Sequence, residues 1–141
     1  MISKATQFVV PLANKPGTLA RLCKVLGDAE VNITGFFVPE AKGRAQAARV
    51  MVVDVAAARA ALKKVKIRFS EEEVLNVELD NKPGAFAELA GKLTRKKINI
   101  THAYATTAPF ARAGVVIAVS DIGKALAALK EKKIWDLNPP R

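Results

Sequence analysis

The strongest constraint on this chain is that it nearly repeats itself. Asn14-Lys15-Pro16-Gly17 returns as Asn81-Lys82-Pro83-Gly84, an offset of 67 residues that continues without a gap. Ala20 meets Ala87, Leu22 meets Leu89, Leu26 meets Leu93, and Asn32-Ile33-Thr34 meets Asn99-Ile100-Thr101; further on, Asp54 and Leu62 meet Asp121 and Leu129. A solenoid needs at least about three stacked units to bury a continuous core. Two copies within 141 residues therefore predict a pair of small modules, residues 1–69 and 70–141.

Each copy carries the same sequence of periods. Phe8, Val10 and Leu12 alternate with Gln7, Val9 and Pro11, and Leu75, Val77 and Leu79 alternate with Val74, Asn76 and Glu78, which marks an opening strand. After Pro-Gly, the apolar residues Leu19, Leu22, Val25 and Leu26, and likewise Phe86, Leu89, Ala90 and Leu93, fall on one helical face. Residues 31–38 and 98–105 are rich in β-branched and aromatic side chains and predict second strands. Third strands follow at 47–53 and 114–120, and Asp54 and Asp121 stand as N-caps of Ala-rich helices. Short fourth strands at 67–69 and 134–137 complete the unit, with Trp135 as a packing anchor.

The order βαββαβ, twice over, is an α+β arrangement of two ferredoxin-like modules, antiparallel sheets with helices on one face. In the third strands Ala48, Val50 and Val52 oppose Met51 and Val53, while Val115, Ile117 and Val119 oppose Val116 and Ala118. Both faces are apolar. A sheet covered on one side only should alternate with polar residues, so the open face is expected to pack against another module or chain, and a homodimer is predicted.

Several chemistries lack their residues. One cysteine, Cys23, and one histidine, His102, provide neither an internal disulfide nor a Cys/His zinc cage within one chain, and no cofactor is expected. Cys23, one turn from Leu19 and Leu26, reads as a buried structural thiol. No nucleophile with a base and an orienting group is visible, so no enzymatic activity is expected. Glu71-Glu72-Glu73 reads as a charged junction, because strand spacing would splay neighbouring carboxylates apart. No apolar run reaches the roughly 18–20 residues of a membrane span, and the opening residues lack a signal peptide's apolar core, which points to the cytoplasm.

Charge is unevenly spread. The net charge is +10, with 12 Lys/Arg against 4 Asp/Glu in residues 1–70 and 11 against 9 thereafter. A basic first half can attract nucleic acid or an acidic protein. An RNA-reading sheet, however, stacks bases on exposed aromatics of its central strands; the third strands carry none, and the adjacent Phe36 and Phe37 face opposite ways. RNA binding is kept as the alternative.

Strand, Asn-Lys-Pro-Gly, amphipathic helix and Asn-Ile-Thr strand, present twice and spanning nearly the whole chain, resembles the ACT domain in the form of freestanding tandem ACT proteins. The resemblance implies a regulatory module that binds a small ligand, an amino acid, at the interface between modules. It sets the loop of one module against the start of the second strand of its neighbour. That places Asn14, Pro16, Gly17 and Thr18 with Asn99 and Ile100, and Asn81, Pro83, Gly84 and Ala85 with Asn32 and Ile33. The chemistry of the loop suits a carboxylate: Pro presets φ, Gly lets backbone approach a ligand, and the next helix offers unpaired amides at the positive end of its dipole. Some members carry histidine two positions before the loop asparagine. Leu12 and Leu79 stand there in this chain, which leaves the ligand's identity open.

The competing reading is that Asn-Lys-Pro-Gly only makes the turn, that Asn32 and Asn99 only begin a strand, and that the modules assemble without ligand. Simple alternation places His102 on the face of Ile100 and Tyr104; a half-buried, hydrogen-bonded imidazole is the reading preferred to a ligand contact, whose role Gly35, its counterpart in the first copy, could not repeat.

Overall fold

Alternation in the opening residues does produce a long strand, and the later elements keep the predicted α+β order. The structure, a computed structural model, describes residues 2–106 and 113–130. Its elements are β1 (Ile2–Leu12), α1 (Thr18–Asp28), β2 (Ile33–Phe37), β3 (Gln46–Val52), α2 (Val55–Lys64), β4 (Ser70–Leu79), α3 (Ala85–Arg95), β5 (Ile100–Thr106), β6 (Ala113–Val119) and α4 (Ile122–Lys130). They form two compact units: one spans Thr6–Glu72, and the other combines residues 2–5 with the described residues from Glu73 onward.

In the first unit β3 pairs antiparallel with β1 and with β2, and α1 lies alongside α2. Phe8, Val10 and Val50 from the strands meet Leu22, Leu26 and Leu62 from the helices. The Phe8 ring meets Phe69 edge-on at 5.6 Å. In the second unit β6 pairs antiparallel with β4 and β5, α3 lies alongside α4, and Leu75, Val77, Leu93 and Ile117 are buried together. Each such side chain contributes about 1.5–3 kcal/mol by leaving water. Asp54 caps α2 by accepting from the Ala57 amide at 3.0 Å, and the Asp121 carboxylate accepts from the Lys124 amide at 3.0 Å, as their positions predict.

Two bulges break the simple alternation. Ile33 pairs with Val52 but Gly35 with Met51, and Ile100 pairs with Val119 but His102 with Ala118. One extra residue in each strand, Thr34 or Thr101, flips the facing of every side chain after it. The Thr101 hydroxyl donates across to the Ala118 carbonyl at 3.1 Å. Ile33 and Ile100 consequently pack on the two cores, whereas His102 turns with Tyr104 to the opposite face of its sheet. The expectation that His102 shares a face with Ile100 is corrected by that bulge.

Three helices end alike. Glu30, Lys66 and Lys97 adopt φ of 58°, 59° and 58°, and the amides of Val31, Ile67 and Ile98 reach back to the carbonyls of Leu26, Leu62 and Leu93 at 2.9, 3.0 and 3.0 Å. This is the Schellman cap, with a charged residue in the left-handed position and an apolar one turned inward after it. Ile67 is thus part of a helix cap, and 67–69 is not a strand. The strand begins at Ser70 and runs unbroken to Leu79. Residues 134–137, with Trp135, lie outside the described residues.

The acidic run lies in β4 and spans the boundary between the two units, which falls between Glu72 and Glu73. Glu71 and Glu72 splay as strand neighbours should: Glu71 pairs with Arg59 at 2.6 Å, and Glu72 pairs with Arg49 at 3.3 Å and accepts from the fully buried Gln7 at 2.6 Å. On α3 the buried positions are Ala85, Leu89 and Leu93, which leaves Phe86 45% exposed and Ala90 exposed, against the predicted face. Cys23 is half-buried rather than buried. On the faces away from the helices, Met51 and Ala118 are buried, while Val53, just past β3, is exposed.

Candidate functional site

Both Asn-Lys-Pro-Gly loops take one backbone path. The Lys15 amide bonds the Ala13 carbonyl at 2.8 Å and the Lys82 amide bonds the Asp80 carbonyl at 2.9 Å, a tight three-residue turn around Asn14 and around Asn81. Gly17 (φ 93°, ψ −14°) and Gly84 (φ 86°, ψ −9°) then occupy the left-handed position of a type II turn behind proline. The Ala85 amide closes the second turn on the Lys82 carbonyl at 3.3 Å. In the first, the Thr18 hydroxyl does comparable work, donating to the Ala13 carbonyl at 2.8 Å and towards that of Lys15 at 3.2 Å. A Cβ at Gly17 or Gly84 would meet nothing within 4 Å, so it is φ and not crowding that demands glycine.

What the loops offer is donors. Neither α1 nor α3 has a side-chain cap at its N-terminus, so the first amides and the positive dipole end are not quenched by a capping oxygen. The two ends differ in charge: α1 has no acidic residue in its first turn, and α3 has Glu88. Asn14, Pro16, Gly17, Asn81, Pro83 and Gly84 are exposed. Thr18 is half-buried with its proton committed to the loop, which leaves it an acceptor, and Ala85 is buried and apolar.

Asn32 and Asn99 are exposed, and their carbonyls accept from the Val53 and Ser120 amides at 3.0 and 2.9 Å, closing the start of each strand pair. The amide side chains of Asn14, Asn32 and Asn99 have no partner among the described residues. Ile33 and Ile100 turn their side chains into the cores, so only their backbones remain for a ligand. The first unit holds Asn14 to Thr18 with Asn32 and Ile33; the second holds Asn81 to Ala85 with Asn99 and Ile100.

Each loop borders a cavity that the motif did not announce. In the first unit a space of about 350 Å³ lies among Leu12, Ala13, Thr18, Arg21, Leu22 and residues 66–68. In the second, about 200 Å³ lies among Ile2, residues 77–80, Ala85, Glu88 and Lys92. Arg21, Lys66 and Arg68 were not singled out in the sequence; the excess of cations in residues 1–70 was the only signal of them. Elsewhere in the first unit the hydrogen bond from Arg59 holds the Glu71 carboxyl below its ordinary 4.5, and Glu71 in turn raises Arg59. Among the described residues no cluster of three His, Cys, Asp or Glu could hold a metal ion, and no helix is long and apolar enough to cross a membrane.

Residues 74–133 match the model of the ACT domain. No curated protein matches the chain. Among solved structures, the protein BT0572 from Bacteroides thetaiotaomicron is 28% identical, with a TM-score of 0.86 and 99% of each chain covered. The regulatory subunit of aspartate kinase from Thermus thermophilus, in a ligand-free form, is 17% identical, with a TM-score of 0.64 over 92% of this chain and 93% of that one. Its counterpart from Thermus flavus is 20% identical, with a TM-score of 0.61 and 92% of each chain covered. The two aspartate kinase subunits share this chain's fold.

Proposed function

We propose that this chain is a non-enzymatic regulatory protein of two ACT modules, residues 1–69 and 70–141, that binds an amino acid between modules. The carrying observation is the pair of loops with one backbone geometry, each leading into a helix whose first amides lack a side-chain cap. The α-carboxylate sits at those amides, and Asn14 and Asn81 with Asn99 and Asn32 hold the ammonium and carboxylate through their amide groups. Filling the crevice favours one arrangement of modules over another only through differential affinity, which is the regulatory step. The match of residues 74–133 to the ACT model supports this reading, as does the likeness in fold to subunits described as regulatory. The protein works in the cytoplasm as a homodimer.

The test is a thermal-shift screen against the twenty amino acids with Asn14→Ala and Asn81→Ala as controls. A ligand at about a hundred times its Kd adds about 2.7 kcal/mol to the native state. One or a few amino acids should raise Tm, and the shift should shrink in the variants. No shift with any amino acid favours the competing reading, assembly without ligand, whose own support is that the Asn32 and Asn99 backbones already close local bonds.

A further inference from the structure

The two cavities occupy the same place in the repeat. Moved by 67 residues, Leu12, Ala13, Thr18, Arg21 and Leu22 of the first become Leu79, Asp80, Ala85, Glu88 and Leu89 of the second, and both sets line their cavities. The apolar floor is kept, since leucine answers leucine at both positions. The rim is reversed: Arg21 stands where Glu88 stands, and Ala13 where Asp80 stands.

The first cavity gathers three cations, Arg21, Lys66 and Arg68, and among the described residues no carboxylate lines it. None of the three is in an ion pair among the described residues, although Lys24, Arg49 and Arg59 of the same unit all are. The second cavity mixes both signs with an acidic excess, Glu78, Asp80 and Glu88 beside Lys82 and Lys92, and Lys92 reaches Glu88 at 3.8 Å. Lys66 cannot swing its backbone away, because it is the left-handed residue of the α2 cap, bonded from its amide to the Lys63 carbonyl at 3.1 Å. Three exposed like charges lining one apolar-floored space favour negative charge there, and a space of this size suits a small metabolite.

We infer that the cavity beneath the first loop, rimmed by Arg21, Lys66 and Arg68, binds a small organic dianion. The charged end lies on the three cations, and a short carbon skeleton rests on Leu12, Leu22 and Ile67. All the described residues that line the site belong to the first unit. It shares Thr18 with the proposed amino-acid crevice but none of that crevice's asparagines.

Phosphate monoesters and dicarboxylates share this chemistry, and calorimetry of the full chain at fixed ionic strength separates them, with glycerol 3-phosphate and succinate as probes and acetate as the monoanion control. Saturable binding of either dianion is expected, with acetate weaker. Arg21→Glu, which installs the charge of the second cavity at an exposed helix position, should weaken it roughly tenfold or more. Lys66→Gly removes a second charge while relieving the left-handed backbone, so lost binding with an unchanged or higher Tm would mark the rim rather than the fold. The inference is overturned if neither dianion binds saturably up to about 10 mM, or if binding is indifferent to Arg21→Glu. A response to amino acids that survives Arg21→Glu would leave the crevice reading untouched.

Discussion

Gly17 and Gly84 show how a residue can be required without being crowded. Open space surrounds the place of their Cβ, so Gly17→Ala and Gly84→Ala introduce no clash and cost only the left-handed backbone, about 1–2 kcal/mol each. Urea titration should show that loss with an unchanged m-value; a much larger loss would mean the turn itself collapses. Asn-Lys-Pro-Gly was legible because turn chemistry is local: proline and glycine set dihedral angles whatever surrounds them. The face of His102 was not legible, because a bulge at Thr101 depends on how β5 settles against β6 and leaves no mark in the alternation. Cys23 was misread for a related reason. Helical spacing says which face a side chain shares, not how completely a neighbour covers it.

At the scale of elements, the caps make a sharper prediction than the helices do. A non-glycine residue in the left-handed region is strained, and Lys97→Gly relieves that strain against the entropy that glycine adds to the unfolded chain. The net should be a gain of a few tenths to about 1 kcal/mol, visible as a Tm rise of a few degrees. A fall in Tm would show that the Lys97 side chain contributes contacts outweighing the strain. Existence and type were readable for every described strand and helix except the segment 67–69. There the apolar residues Ile67 and Phe69 suggested a strand, yet one belongs to a Schellman cap and the other packs its ring on Phe8. A cap and a short strand present the same apolar punctuation, and only the hydrogen bonds tell them apart. Phe86 and Ala90 failed because a helix carrying apolar residues on more than one face cannot declare which of them the core will take.

Across the whole molecule, charge and chain order set the behaviour. Glu71, held below its ordinary pKa by the hydrogen bond from Arg59, favours the folded state above pH 4.5, and that contribution disappears as pH falls through the depressed folded value. Arg59→Ala should therefore be less stable than the parent near neutrality and converge with it in acid; parallel stability curves from pH 7 to pH 2 would contradict the pairing. The second unit also depends on a residue far from it in sequence. Ile2 packs on its core and lines its cavity, so Ile2→Ala should cost about 1–2 kcal/mol, below the range for a fully buried isoleucine, and lower amide protection in β4 and β6. Lost protection confined to the first unit would refute this. The candidate site was legible in its loops and hidden in its cavities, because Lys66 and Arg68 reach Arg21 only through tertiary folding.

That division of β1 bears on how the protein comes into being. Translation delivers residues 2–5 before anything they will pack with, and their partners start only at Glu73. While the first unit is gathering itself, Ile2 stays without its core, exposed for the time the ribosome takes to reach Glu73, some seventy residues further on. A chaperone that shelters nascent chains has its natural client in that residue until β4 and β6 are made.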